Sequence, residues 1–237
     1  MLGKKSWFNT LNSAQPEIVA TPILWLDAET ITSGSGIYNW ADISGANIIL
    51  TNRNSVPFSP TSPKNFSFDG TDTQNFNTST VSALGQLGND DHTIMIFANP
   101  AGYDEDDIVG SDVIGTAGSF LFMLYAGIFR GHVWAGNGLV VIDSASGPTL
   151  NTWSCFTQRM KYGDTLKLYN KKTEVASVSA VGKTKPNLTN SKFALGARSI
   201  TRGLYNGKIG AVLIYNRALT VAEIEQNIDY YSTLYNL

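Results

Sequence analysis

Residues 134–138 place a tryptophan beside a glycine-rich segment that carries an amide side chain. Sugar binding needs an aromatic ring for stacking and nearby polar groups that hydrogen-bond to hydroxyls. Trp134 and Asn137 supply these two chemistries within one short segment, so they are the candidate carbohydrate-binding residues. The alternative is that Trp134 packs in the core, as most tryptophans in strand positions do.

Few residues in the chain could act as a nucleophile or a general base. Cys155, the only cysteine, lies between Trp153 and Phe156 in an apolar run, which is typical of a buried small hydrophobe. Trp153 is expected in the core because it lies at a strand position. The two histidines, His92 and His132, start no recognised motif. The sequence therefore predicts no nucleophilic catalysis, and a single cysteine excludes an internal disulfide framework and a cysteine-rich zinc site.

Composition and charge exclude further classes of function. The 237 residues include 17 Lys and Arg against 19 Asp and Glu, a net charge of −2, whereas nucleic-acid binding needs a basic patch. No apolar run approaches the roughly 18–20 residues of a membrane span. No apolar stretch of about 7–15 residues follows the basic start of the chain, as a secretory signal requires. We therefore expect no nucleic-acid partner, no membrane span and no export signal.

The candidate residues must be positioned by β-strands. Residues 22–217 consist of short β-branched and aromatic runs, broken by Gly, Asn, Ser, Asp and Pro at intervals of roughly 8–12 residues. Leu166 and Leu168 alternate with polar neighbours, as in a half-buried strand, while residues 212–214 are apolar throughout, as in a central strand. This pattern predicts an all-β sandwich or barrel, and a chain of about this length can form one such domain.

One helix is predicted, at the end of the chain. Thr220 and Glu223 have the spacing of a capping box, in which each side chain bonds to the backbone of the other residue. Apolar residues at helical spacing follow, among them Ile224, Ile228 and Tyr231. The helix is predicted over residues 220–234, where it would cover one edge or end of the sandwich.

The first 21 residues differ in composition from the rest. They are polar, with Trp7, Phe8 and Leu11 as a small apolar cluster. We expect residues 1–21 to form an arm that docks on a partner, and residues 22–237 to form the folded domain. The alternative is that the arm packs across its own domain.

Five short motifs follow one another along the chain. They are Leu-Trp-Leu-Asp-Ala at residues 24–28, Trp-Ala-Asp-Ile-Ser-Gly at 40–45, Phe-Ser-Phe-Asp-Gly-Thr-Asp at 66–72, Leu-Gly-Ala-Arg at 195–198 and the run of residues 205–220. In this order they resemble the concanavalin A-like lectin/glucanase superfamily, specifically its laminin G-like branch, from about residue 22 to residue 235. The resemblance implies a jelly-roll β-sandwich with a short C-terminal helix, a fold that carries lectins, glycanases, adhesion modules and structural domains.

The resemblance also bears on catalysis and on metal binding. Retaining glucanases of this superfamily carry Glu-x-Asp-x-x-Glu on one strand, and this chain has no such run, so we expect that it is not an enzyme. Laminin G-like and lectin domains often bind Ca²⁺ through loop carboxylates, and Ca²⁺ needs about 6–8 oxygen ligands. Asp104, Asp106 and Asp107 lie in an acidic segment that could contribute such ligands. The alternative is a solvated acidic loop without metal, and no other cofactor is expected.

The sequence departs from the family at one hairpin. The family commonly has Asn-Gly there, whereas this chain has Asn170 and Lys171. A type I′ turn requires positive φ at both central residues, which a lysine resists. A longer turn is therefore expected at this position.

Domains of this branch usually act outside cells, yet no export signal is expected here. One route out of a cell without a signal is a virus particle released by lysis. The leading hypothesis is therefore a non-catalytic virion structural protein of a phage: a capsid decoration, tail or fibre component. Its partners would be other virion proteins, further copies of itself in a closed oligomer, and host-surface glycans. The alternative is a free or cell-surface carbohydrate-binding module, and a glycan-active enzyme ranks third.

Overall fold

The described part of the chain folds into sixteen strands and one α-helix. The computed structural model describes residues 17–32, 36–71, 74–78, 84–103, 106–111, 115–197 and 204–237. Two short 3₁₀ turns, Ala28–Thr30 and Leu87–Asn89, interrupt the strands. The elements are β1 (Leu24–Asp27), β2 (Trp40–Ala41), β3 (Ile49–Arg53), β4 (Phe58–Ser59), β5 (Asn65–Asp69), β6 (Asn75–Asn77), β7 (His92–Pro100), β8 (Asp106–Ser111), β9 (Phe120–Tyr125), β10 (Ile128–Ala135), β11 (Gly138–Asp143), β12 (Ser154–Met160), β13 (Thr165–Asn170), β14 (Thr173–Ser179), β15 (Phe193–Leu195), β16 (Asn206–Tyr215) and α1 (Val221–Tyr235).

The strands form two antiparallel sheets of eight strands each. The first sheet has the order β14–β13–β12–β7–β16–β5–β4, with β1 also paired to β16. β16 is long enough to pair with β5 along residues 206–209 and with β1 along residues 211–214. The second sheet has the order β11–β10–β9–β8–β15–β6–β3–β2. The predicted all-β sandwich is therefore confirmed.

The main core lies between the two sheets. Alternate residues of the central strands face it, so Ile94 and Ile96 of β7 meet Phe120 and Phe122 of β9 in one buried cluster. Burial of each such side chain contributes roughly 1.5–3 kcal/mol. At the other end of the core Trp40 packs between two phenylalanines, Phe66 and Phe76, at centroid distances of 4.7 and 5.7 Å.

A second, smaller core lies between the outer face of the first sheet and α1. Met95 and Phe97 of β7 and Leu213 of β16 pack there against buried residues of the helix, which include Ile224 and Ile228. The helix begins as predicted, because Thr220 caps it and exchanges both hydrogen bonds of a capping box with Glu223. It ends one residue later than predicted, at Tyr235.

Two local predictions are wrong. Asn170 pairs with Thr173, so the hairpin between β13 and β14 has a two-residue turn, and Lys171 adopts a φ of +52°. The expected longer turn is absent because Lys171 accepts the left-handed conformation and its N–H donates to the Cys155 carbonyl at 2.7 Å. The acidic segment is also not wholly a loop, since Asp106 and Asp107 begin β8 and pair with β9.

Candidate functional site

The two outer faces of the sandwich differ in what covers them. The outer face of the first sheet lies under α1. On the second sheet, Arg130, His132 and Trp134 alternate along β10 with the buried residues Phe129 and Val133. The three partly exposed side chains therefore point outward, and no described helix covers them.

Trp134 lies on this outer face and not in the core. Its strand partner on β11 is Leu139, which is 40% exposed, and Val141 beside it is 39% exposed. The His132 ring lies edge-on to the indole at a centroid distance of 5.3 Å. The indole N–H makes no hydrogen bond with any described residue. Together these residues form a partly exposed strip that offers an aromatic ring and apolar contacts to a ligand.

An ion pair extends the strip on the same face. The Arg130 guanidinium donates to both carboxylate oxygens of Asp143, at 2.6 and 2.7 Å, and lies over the Tyr125 ring at 4.4 Å. The hydrogen bond from Arg130 lowers the pKa of the Asp143 carboxyl, and Asp143 in turn raises the pKa of Arg130. A guanidinium has five N–H donors, and the pair uses two of them. The remaining donors and carboxylate lone pairs face solvent in a fixed orientation, which suits hydroxyl groups of a ligand.

Asn137 holds a turn together. Its amide nitrogen donates to the Gly182 carbonyl at 2.8 Å, and its amide oxygen accepts from the Thr184 N–H at 3.1 Å. These bonds tie the turn between β10 and β11 to the segment that follows β14. The amide thus fixes the backbone of the turn that follows Trp134. Direct contact of Asn137 with a sugar stays a prediction.

The predicted calcium ligands are only partly described. Asp104 lies outside the described residues, and Asp106 begins β8. Asp107 is fully buried opposite Met123 of β9. In the part of the chain that the structure describes, no group of three or more His, Cys, Asp and Glu side chains could hold a metal ion. Calcium binding at these three aspartates stays a prediction, which calorimetry at millimolar Ca²⁺ tests.

The predicted docking residues Trp7, Phe8 and Leu11 lie outside the described residues. The described part of the predicted arm, residues 17–21, lies against α1. The Val19 N–H donates to the Asn227 side-chain oxygen at 2.8 Å, and the Val19 carbonyl accepts from the Tyr215 hydroxyl at 3.0 Å. The Glu17 carbonyl accepts from the Gln226 amide at 2.9 Å. The segment is thereby anchored on the covered side of the sandwich.

The possible nucleophile and one possible base lie inside the protein. Cys155 is fully buried, as predicted, and burial raises the pKa of its thiol to about 12, which makes it a poor nucleophile. His92 is fully buried between the sheets, and burial lowers the pKa of its imidazole to about 4. No described helix is long and apolar enough to cross a membrane.

Sequence reasoning missed one aromatic residue. Trp153 was expected in the core, but it is only partly buried and lines a cleft with Asn170 and Lys171. A signal was available, because Trp153 directly precedes β12 and lies outside the strand alternation. The positions of Asn170 and Lys171 depend on the two-residue turn after β13, where the sequence predicted a longer turn.

A model of the concanavalin A-like lectin/glucanases superfamily matches residues 69–225. This chain belongs to that superfamily. The resemblance inferred from the sequence is therefore confirmed, together with the jelly-roll sandwich that it implies. No curated protein matches the chain in sequence.

Several solved structures are similar to this chain in fold. The binding domain of Paraclostridial Mosquitocidal Protein 1 has a TM-score of 0.68 at 16% identity, over 90% of this chain and 52% of that domain. The binding domain of botulinum neurotoxin DC, solved in complex with SialylT, has a TM-score of 0.67 at 16% identity, with the same coverage. This superfamily member therefore spans about half the length of the toxin binding domains.

A third structure is covered almost completely. Domain 4 of AbnA, a GH43 extracellular arabinanase from Geobacillus stearothermophilus, was solved in complex with arabinotriose. It has a TM-score of 0.65 at 13% identity, over 88% of this chain and 98% of that domain. At these identities the likeness establishes the fold alone.

Proposed function

We propose that the protein is a non-catalytic carbohydrate-binding domain, with its site on the outer face of the second sheet. The observation that carries the proposal is the partly exposed Trp134, whose indole stands on a sheet face that no described helix covers, four residues along β10 from Arg130 of the Arg130–Asp143 pair. Stacking on the indole supplies affinity for the apolar face of a sugar ring, and the ion pair supplies directed hydrogen bonds to hydroxyls. The arabinotriose complex of the arabinanase domain supports this reading of the fold.

The experiment is a glycan array with the full chain, followed by calorimetry on the best ligand. Trp134→Ala should weaken binding by about tenfold or more, since a central aromatic contact is typically a major part of binding energy. Tyr230→Ala is the matched control, because Tyr230 is a partly buried aromatic residue on α1, across the sandwich. Unchanged affinity in Trp134→Ala would show that the outer face of the second sheet does not bind the sugar.

The absence of catalysis is part of the same proposal. The superfamily includes glucanases, whose retaining members carry Glu-x-Asp-x-x-Glu on one strand, and this chain has no such run. Release of reducing ends from any bound glycan would contradict the proposal, and a reducing-sugar assay on the array ligands measures it directly.

A second candidate is the virion structural role, as a capsid decoration, tail or fibre component that contacts host-surface glycans. The observation that favours it is the anchoring of residues 17–19 by two hydrogen bonds to α1 and one to Tyr215 of β16, which gives the preceding segment a fixed starting point for docking on another virion protein. Density-gradient fractionation of the source lysate, with mass spectrometry for this chain, tests it. Banding with particles supports the role, and recovery only among small proteins refutes it.

A further inference from the structure

A cleft opens where β12 begins and β13 ends, away from the outer face of the second sheet. It encloses about 360 Å³, with Trp153 on one wall and the turn after β13 on the other. A neighbouring cavity of about 460 Å³ lies between the same turn and the C-terminal half of α1, and both are lined by Lys171 and Thr173. These volumes fall within the range of roughly 300–1,000 Å³ that is typical of ligand pockets.

Trp153 gives the cleft a fixed aromatic wall. Its ring lies 4.6 Å from the ring of Tyr235, the buried last residue of α1. This contact holds the indole in place, while the side chain stays partly exposed at the cleft. A fixed indole stacks on the apolar face of a ring-shaped ligand with little loss of side-chain entropy.

Hydrogen bonds within the protein fix the polar groups that line the cleft. The Ser154 hydroxyl donates to the side-chain oxygen of Asn170 at 2.5 Å. This bond fixes the amide and leaves its nitrogen without a hydrogen bond to any described residue. The backbone N–H of Lys171 donates to the Cys155 carbonyl at 2.7 Å, which anchors the turn on β12.

Of the described lysines around the cleft, one has no ion-pair partner. Lys172 pairs with Asp229 at 2.6 Å, and Lys167 pairs with Glu174 at 2.8 Å. Among the described residues Lys171 has no ion-pair partner, and no acidic side chain lines the cleft next to Trp153. The lining of the cleft therefore combines one aromatic wall, the Asn170 amide and a lysine without an ion-pair partner among the described residues.

We propose that this cleft binds an acidic sugar unit of a glycan, whose ring stacks on Trp153 and whose anionic group pairs with Lys171. A neutral sugar would leave the ammonium uncompensated, and an anion without a ring would not use the indole. The site lies apart from Trp134, so the proposal does not depend on carbohydrate binding by the second sheet.

The test is calorimetry on the full chain with paired probes. Oligosaccharides that contain galacturonate, glucuronate, sialic acid or sulfated galactose are each compared with the neutral counterpart. At least one acidic probe should bind about tenfold more tightly than its neutral partner, the gain expected of a charge-assisted hydrogen bond. Comparison of the carboxylated probes with the sulfated one identifies the anionic group.

Lys171→Gly should remove this preference for the acidic probe, and it should fold well because glycine tolerates the positive φ of this position. Lys161→Ala removes the same charge at the far end of β12 and should keep the preference. Equal binding of every acidic probe and its neutral partner would overturn the proposal. A preference that survives in Lys171→Gly but disappears in Trp134→Ala would also overturn it, and would assign the acidic ligand to the second sheet.

Discussion

Lowering the pH should destabilise the protein through one buried imidazole. His92 lies at the start of β7, fully buried, with its ring 6.0 Å from that of Phe120 and its Nδ1 atom 2.9 Å from the Asp90 carbonyl. The uncharged ring is accommodated there, but a second proton would place a positive charge between two sheets. Burial accordingly lowers the pKa of His92 from 6.5 to about 4.

The size and direction of the effect follow from linkage. The folded protein binds this proton less tightly than the unfolded chain does. The contribution of His92 to the free energy of unfolding is therefore complete above pH 6.5 and is lost as the pH falls towards 4. One pKa unit corresponds to 1.36 kcal/mol. The shift to about 4 thus predicts a loss of about 2 kcal/mol by pH 5 and about 3 kcal/mol by pH 4.

The assay is urea-induced unfolding of the wild type and His92→Gln between pH 7.5 and pH 4, followed by tryptophan fluorescence. The carboxylates titrate in both proteins, so the difference between the two curves isolates His92. That difference should shrink by about 3 kcal/mol from pH 7.5 to pH 4. Parallel curves over the whole range would refute the reasoning, since they would mean that His92 binds its proton equally well in both states.

Three further changes test the packing of α1. Gly210→Ala places a Cβ 2.3 Å from the Tyr235 hydroxyl, so it should cost about 1–3 kcal/mol of unfolding free energy, and an unchanged urea midpoint would place Tyr235 elsewhere. Leu213→Ala should cost about 2–5 kcal/mol; a much smaller loss in urea unfolding would mean that α1 does not cover this residue. Thr220→Ala removes a cap from α1 and should lower stability by about 1 kcal/mol in thermal unfolding, whereas Thr220→Asn should retain most of it.

The fold was accessible from the sequence because its signals are local. Alternation in β13 and the capping box at Thr220 each depend on residues close together in the chain, and both are found in the structure. The prediction that α1 covers one edge or end of the sandwich is wrong, since α1 packs on the outer face of the first sheet. The face that a helix covers depends on long-range packing. β2, β4 and β6 have two or three residues each, too few for a periodic pattern to emerge.

The site was less accessible, for a related reason. Trp134 was identified from its own surroundings, but its outward direction depends on the register of β10 with β9 and β11. The sequence could not show that the Asn137 amide bonds to a segment about 45 residues further along the chain. The sequence could not show the cleft beside Trp153, because the cleft depends on the conformation of Lys171. Lys171 has a positive φ, which single-residue preferences disfavour for a lysine.

The anchoring of residue 17 on α1 has a geometric consequence. The backbone is held on one side of the sandwich, and Trp134 faces away on the other, with the two sheets packed roughly 10 Å apart between them. A support that binds the chain near residue 17 would leave the Trp134 indole facing away from the support. Several copies on one support would then display their faces in parallel, and avidity would multiply a weak single-site affinity by roughly 10²–10⁴ wherever the spacing allows simultaneous contact.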